Sequence, residues 1–168
     1  MKEITVSELK DNMFDAIGKE WMLVTAGTPD KFNMMTASWG GIGILWNKPV
    51  AFIFIRPERY TFGFIERGEH VTLAFLGEEH KDIHKICGSK SGRDIDKVAA
   101  TGLKPYITPS GNIGYEQDRM LLECRKLYAD MIEPQHFIDK SQVERWYGAS
   151  GGFHKMYVLE IEHVWVKE

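Results

Sequence analysis

Residues 120–132 read MLLECRKLYADMI, and residues 156–166 read MYVLEIEHVWV. Neither stretch contains glycine or proline, and both alternate. The second alternates through Tyr157, Leu159, Ile161, Val164 and Val166. A period near two marks a half-buried strand, not a helix. Working outward, Val50–Ile55 reads as a buried strand stopped by Arg56-Pro57, and His70–Leu76 as another. Trp21–Ala26 reads as a strand ending in the turn Gly27-Thr28-Pro29-Asp30. Asn33–Trp39 is semi-extended, and Gly40, Gly41 and Gly43 are expected to break regularity. Pro105–Tyr115 reads as turns with a short hairpin.

Helices are expected over 3–19 with Gly18 as a stop, and over Tyr60–Arg67 before Gly68. Further helices are expected over Glu78–Cys87, Asp94–Ala100 and Pro134–Trp146. Strands outnumber helices and are joined by short connections or single helices. That pattern favours a mainly antiparallel β-barrel with helical insertions over a regular βαβ repeat. The 168 residues are the size of one domain, residues 1–168, with 1–19 as an N-terminal helical extension.

Composition narrows the function. The chain is 43% hydrophobic and 27% charged, enough to build a core. Its net charge of -3 argues against a nucleic-acid platform. No apolar run approaches the ~20 residues of a membrane helix, and the N-terminus lacks a signal-peptide core. A soluble cytoplasmic protein is expected, with no membrane partner. Cys87 and Cys124 form no CxxC pair and read as reduced thiols. No GxGxxG, GxxxxGK[ST] or GxSxG motif occurs.

Three stretches could carry chemistry. Asn33-Met-Met-Thr-Ala-Ser-Trp-Gly-Gly41 holds short polar side chains, a tryptophan and two glycines. It could wall a flat ligand approached closely by backbone, or be an ordinary strand and polar loop. Arg56-Pro-Glu-Arg-Tyr-Thr61 could form a phosphate corner, since guanidinium forks match phosphate oxygens. It reads equally as a solvated turn. Ser89-Lys-Ser-Gly-Arg-Asp-Ile-Asp-Lys97 could hold a phosphate before a helix, or be an exposed loop with Asp94 as cap. His80 and His84 lie four apart on an expected helix and are read as solvated, with no metal site. Cys124, Trp21, Trp46, Trp146 and Trp165 are read as packing residues.

In order and spacing, N-M-M-T-A-S-W-G-G, R-P-E-R-Y-T and S-G-R-D-I-D-K-V-A-A-T-G-L resemble the flavoredoxin branch of the flavin reductase-like FMN-binding proteins. The likeness covers roughly residues 20–165. It implies a six-stranded antiparallel Greek-key split barrel, a homodimer, and non-covalent FMN near the dimer interface. It places Asn33, Met34, Thr36, Ala37, Ser38 and Trp39 along the isoalloxazine. Arg56, Arg59 and Thr61 match the phosphate and ribityl corner, and Ser91 and Lys97 match polar contacts. His154, in Gly151-Gly152-Phe153-His154, corresponds to a histidine on the electron-donor side. Leu159 stands where the family often has glycine.

The implied function is an NAD(P)H-dependent oxidoreductase that reduces flavin or passes electrons through it. The alternatives are a flavoredoxin-type electron carrier between protein partners and a flavin- or haem-binding module without turnover.

Overall fold

The computed structural model describes residues 1–148 and 152–168, so Gly151 of the expected histidine stretch lies outside the described residues. The strands are β1 (Lys2–Ile4), β2 (Met22–Thr28), β3 (Lys31–Ala37), β4 (Gly40–Leu45), β5 (Lys48–Ile55) and β6 (His70–Phe75). They continue with β7 (Pro105–Ile107), β8 (Ile113–Tyr115), β9 (Met120–Met131) and β10 (Lys155–Val166). The helices are α1 (Met13–Asp15), α2 (Tyr60–Arg67), α3 (Lys81–Ser89), α4 (Lys97–Thr101) and α5 (Ser141–Trp146). No helix among the described residues is long and apolar enough to cross a membrane.

The fold is a mainly β split barrel with helical insertions. One antiparallel ladder runs β3-β2-β6-β9-β10-β5-β4, while β7 and β8 pair separately as the expected hairpin. The six expected barrel strands are β2, β3, β5, β6, β9 and β10. Two more join them. The glycine run expected to break regularity forms β4, paired with β5 from Gly40↔Ile53 to Leu45↔Lys48. A Cβ on Gly40 would lie 2.5 Å from the Phe52 carbonyl oxygen, so glycine here permits the pairing. The two-residue loop Trp46-Asn47 takes φ of 52° and 57°, the left-handed pair that a tight hairpin needs.

The expected N-terminal helix is corrected. Its first residues form β1, which pairs Lys2↔Val166 to Ile4↔Val164. The remainder is a 3-10 turn at Val6–Glu8, then α1 and a wide turn at Ala16–Glu20. The i, i+4 apolar residues here pack against the barrel end instead of along one helix face. Similarly, Pro134–Trp146 is helical only at Pro134–His136 and in α5.

Alternation sorts the core. Val24, Leu73, Leu122, Cys124, Tyr157, Leu159 and Ile161 point into the barrel. Leu23, Ala74 and Leu121, one residue out of step, join a second cluster with Met34, Ile83 and Cys87. The slip in spacing between Ile161 and Val164 coincides with a register shift in the β9–β10 pairing. Both cysteines are free and buried. Trp46 and Trp146 are 59% and 43% exposed, so they are not core as expected.

Leu159 fills the barrel centre with no exposed surface. Leu159→Ala is expected to cost about 2–5 kcal/mol, because barrel walls cannot collapse into the space left. Urea denaturation should show a lower midpoint with an unchanged slope.

Candidate functional site

β3 and β4 sit at opposite ends of the ladder, yet only Ser38 and Trp39 separate them. Two hollows share Arg59, and one of them is lined by Ser38 and Trp39 of this crossing.

The first, about 240 Å³, is bordered by Asn33, Thr61, Ser91, Arg59, Lys90, Arg93 and Lys97, with Glu58 the only acid. Arg59 caps α2, whose first amides, Tyr60 and Thr61, have no acceptor inside the helix. The Arg59 guanidinium is half-buried, which holds its pKa below the ordinary value. It donates only a long 3.4 Å bond to the Cys87 carbonyl, and no carboxylate among the described residues pairs with it. Lys97 is 4% exposed, and its ammonium donates to the Met34 and Cys87 carbonyls at 2.8 Å each. Burial pushes Lys97 down to about 8; the Cys87 side chain opposes this and Arg59 adds to it. Arg93 lies over the Tyr60 ring at 4.8 Å. Asn33 donates to the Thr61 hydroxyl at 2.8 Å. A Cβ on Gly92 would overlap the Asn33 oxygen, so the turn after α3 closes over this pair only with glycine. Uncompensated, desolvated cations around a small hollow need an anion.

The second hollow, about 200 Å³, is lined by Met35, Thr36, Ala37, Ser38, Trp39, Phe54, Arg56, Arg59 and His154. Trp39 is 43% exposed, with its ring 5.3 Å from His154 and 5.0 Å from Trp146. His154 Nδ1 meets the Tyr147 hydroxyl at 2.9 Å. Burial, reinforced by Arg56, pushes His154 down to about 4, so the ring is neutral at pH 7. Arg56 donates to the Trp146 carbonyl at 2.8 Å and lies over the Tyr147 ring.

The geometry thus gathers Asn33, Arg59, Thr61, Ser91 and Lys97 at one end, and Thr36, Ala37, Ser38, Trp39 and His154 at the other. Two site residues differ from their expected places. Arg56 lines the second hollow and ties down the aromatic segment, apart from the cationic corner where the resemblance put it. The Met34 side chain is buried in the second core cluster, and its carbonyl anchors Lys97. His84, expected to be solvated, is wholly buried and approaches Thr36. Burial, then Lys81 and His80, push it down to about 4. Sequence spacing gave no sign of this, because α3 also carries exposed polar residues. Among the described residues no group of His, Cys, Asp or Glu could hold a metal.

The chain belongs to the flavin reductase like domain family, whose model matches residues 14–168. Solved structures share the fold. An FMN-binding protein from Thermus thermophilus, bound to p-hydroxybenzaldehyde, is 20% identical with a TM-score of 0.69, covering 100% of this chain and 83% of that one. Flavoredoxin of Desulfovibrio vulgaris (Miyazaki F) is 21% identical with a TM-score of 0.68, covering 100% and 78%. A Shewanella frigidimarina protein described as having a split barrel domain is 15% identical with a TM-score of 0.69, covering 96% and 77%. No curated protein matches.

His84 and His154 both sit below the ordinary 6.5, near 4. The folded protein therefore binds fewer protons than the unfolded chain between these values, and acidification through that window costs stability. In an NMR titration both rings should stay neutral until the pH nears 4. His154→Gln should make the acid-induced fall in urea stability shallower.

Proposed function

We propose that the protein binds FMN non-covalently across the two joined hollows and acts as an NAD(P)H-dependent flavin oxidoreductase. Family membership supports the coarser statement, a flavin-related oxidoreductase or electron carrier. The observation that carries the cofactor reading is Arg59: a half-buried guanidinium without a carboxylate partner, beside Lys90, Arg93 and Lys97. One phosphate monoester matches this hollow in charge and chemistry. The lack of a dinucleotide fingerprint favours FMN over FAD.

The residues present fit the group. Arg59, Thr61, Ser91 and the first amides of α2 would hold the phosphate. Thr36, Ala37, Ser38 and Trp39 would border the ring. When bound, FMN supplies hydride and electron transfer. The chain's own part is to bind, orient and shield. No nucleophile is required. His154, neutral and next to Trp39, is the donor-side contact for the nicotinamide.

A homodimer fits the apolar surface around the crossing. Phe14, Ile44 and Trp46 are 91%, 73% and 59% exposed, on α1 and the edge strand β4 and its turn. Large exposed apolar side chains of this kind suit a protein contact, and β4 ends the ladder, where a second copy could add. Ile44→Asp is expected to halve the mass seen by light scattering; an unchanged mass speaks against this face.

The phosphate corner gives the sharpest test. Arg59→Ala should weaken FMN about ten- to a hundredfold, since a charge-assisted hydrogen bond contributes roughly 1.5–3 kcal/mol. Riboflavin, lacking the phosphate, should bind nearly as before. Equal losses for both ligands, or none, would sink the assignment. Oxidation of NADH by the purified protein with FMN separates the reductase from a carrier that needs a protein partner.

A further inference from the structure

One backbone oxygen receives two cations. The Lys97 ammonium donates to the Cys87 carbonyl at 2.8 Å, and the Arg59 guanidinium donates to the same oxygen at 3.4 Å. The last four carbonyls of a helix have no partner inside it, and Cys87 belongs to that group in α3, which ends at Ser89. The negative end of a helix is equivalent to roughly half an elementary charge. It attracts both cations but offsets only part of their combined charge. What remains is repulsion between two like charges held close together away from water. Arg59 cannot shed its proton. Lys97 can.

The surroundings leave the Lys97 charge uncompensated. The residue is 4% exposed, and no carboxylate among the described residues pairs with it. Toward the cationic hollow stand Arg59, Lys90, Arg93 and one acid, Glu58. On the other side a third hollow, about 430 Å³, shares Asn33, Tyr60 and Lys97 with the first and carries Asp30, Lys31 and Asp96. Asp96 is engaged in capping α4 through the Ala99 amide. The Cys87 thiol, pushed up to about 11 by burial, keeps its proton well above neutral pH. Burial, with Arg59 adding to it, holds Lys97 near 8. The fold does not depend on this charge. The other Lys97 bond goes to the Met34 carbonyl of β3 at 2.8 Å. A neutral amine keeps two N–H donors, enough for both carbonyls, so β3 stays tied to α3 in either form.

We propose that Lys97 makes anion binding proton-linked: a phosphate dianion entering the hollow beside Arg59 draws one proton from solvent onto Lys97, and the site loses affinity where that proton is scarce. The ligand's identity rests on the FMN reading above; the linkage needs only the dianion. An opposite charge close by favours the charged form of a lysine. The bound protein therefore holds more protons than the free protein, and affinity falls as pH rises through about 8. One unit above that value roughly nine-tenths of the free protein has neutral Lys97, so restoring the charge costs about tenfold in affinity.

The test counts protons on the wild-type protein. Calorimetric FMN titrations in two buffers of different ionisation heat should show about half a proton taken up per FMN at pH 8 and nearly one at pH 9. FMN affinity should fall about tenfold from pH 7 to pH 9, while riboflavin, lacking the phosphate, stays within about twofold. By NMR the Lys97 side chain should titrate near pH 8 in the free protein and above pH 9 with saturating inorganic phosphate. Lys97→Met should bind FMN with an affinity that no longer changes between pH 7 and pH 9. If Lys97→Met fails to fold, the wild-type proton count decides alone. FMN binding without proton uptake at pH 9, or a tenfold fall that survives in Lys97→Met, overturns this proposal and leaves the FMN reading standing. Inorganic phosphate that raises the Lys97 titration while FMN fails to bind upholds this proposal and overturns the FMN reading. Binding of neither overturns both.

Discussion

Two residues, Ser38 and Trp39, carry the chain from one end of the sheet to the other. The strands must therefore curl until the end of β3 and the start of β4 come within the reach of two residues, although they share no ladder. The inherent twist of antiparallel strands makes that closure available, and the barrel core fixes it. The crossing itself has no ladder to satisfy, so its backbone and side chains stay available to a ligand. The candidate site is assembled around β3: β3 supplies Asn33 to Ala37, the β5–α2 turn supplies Arg56 to Thr61, and the end of α3 with its following loop supplies Ser89 to Lys97.

The second constraint is electrostatic. Arg59 and Lys97 are drawn out of water without carboxylate partners among the described residues, and burial disfavours the charge on each. Elsewhere the chain pairs its charges. Arg119 binds Asp11 and Glu20, and Arg125 binds Glu160 and Glu162. The contrast matters more than the number of cations. A desolvated guanidinium without an ion-pair partner among the described residues is the feature on which the proposed anion site rests.

Much of this was legible in the sequence because certain signals are local. Tyr60–Arg67 is bounded by Pro57 and Gly68, and α2 has those ends. The strands of alternating residues were found for the same reason. What failed was decided by tertiary contact. Ile4 and Leu9 have helical spacing, but β10 offers a free edge and takes Lys2–Ile4 as a strand. Gly40 and Gly43 look like breaks, yet both pair with β5, and at Gly40 a Cβ would run into the Phe52 carbonyl oxygen. His80 and His84 share one expected helix face; only packing against Thr36 and Trp21 sends His84 inside. Trp46 reads as core by hydrophobicity, but the hairpin it occupies turns it to solvent.

Arg56 and Arg59 show how two arginines three positions apart can divide two tasks. Arg56 ends β5, and its guanidinium reaches the Trp146 carbonyl and the Tyr147 ring. Tyr147 stacks on Phe153 at 4.3 Å and bonds His154. The arginine thus holds an aromatic wall beside Trp39. Pro57 and Glu58 then turn the chain, so Arg59 enters the cationic hollow as the cap of α2. In sequence the two arginines look like one fork for one phosphate. In the fold one helps build the wall of the second hollow and the other supplies charge to the first. Both arginines reach the second hollow, but the strand–turn–helix geometry lets only Arg59 reach the first as well.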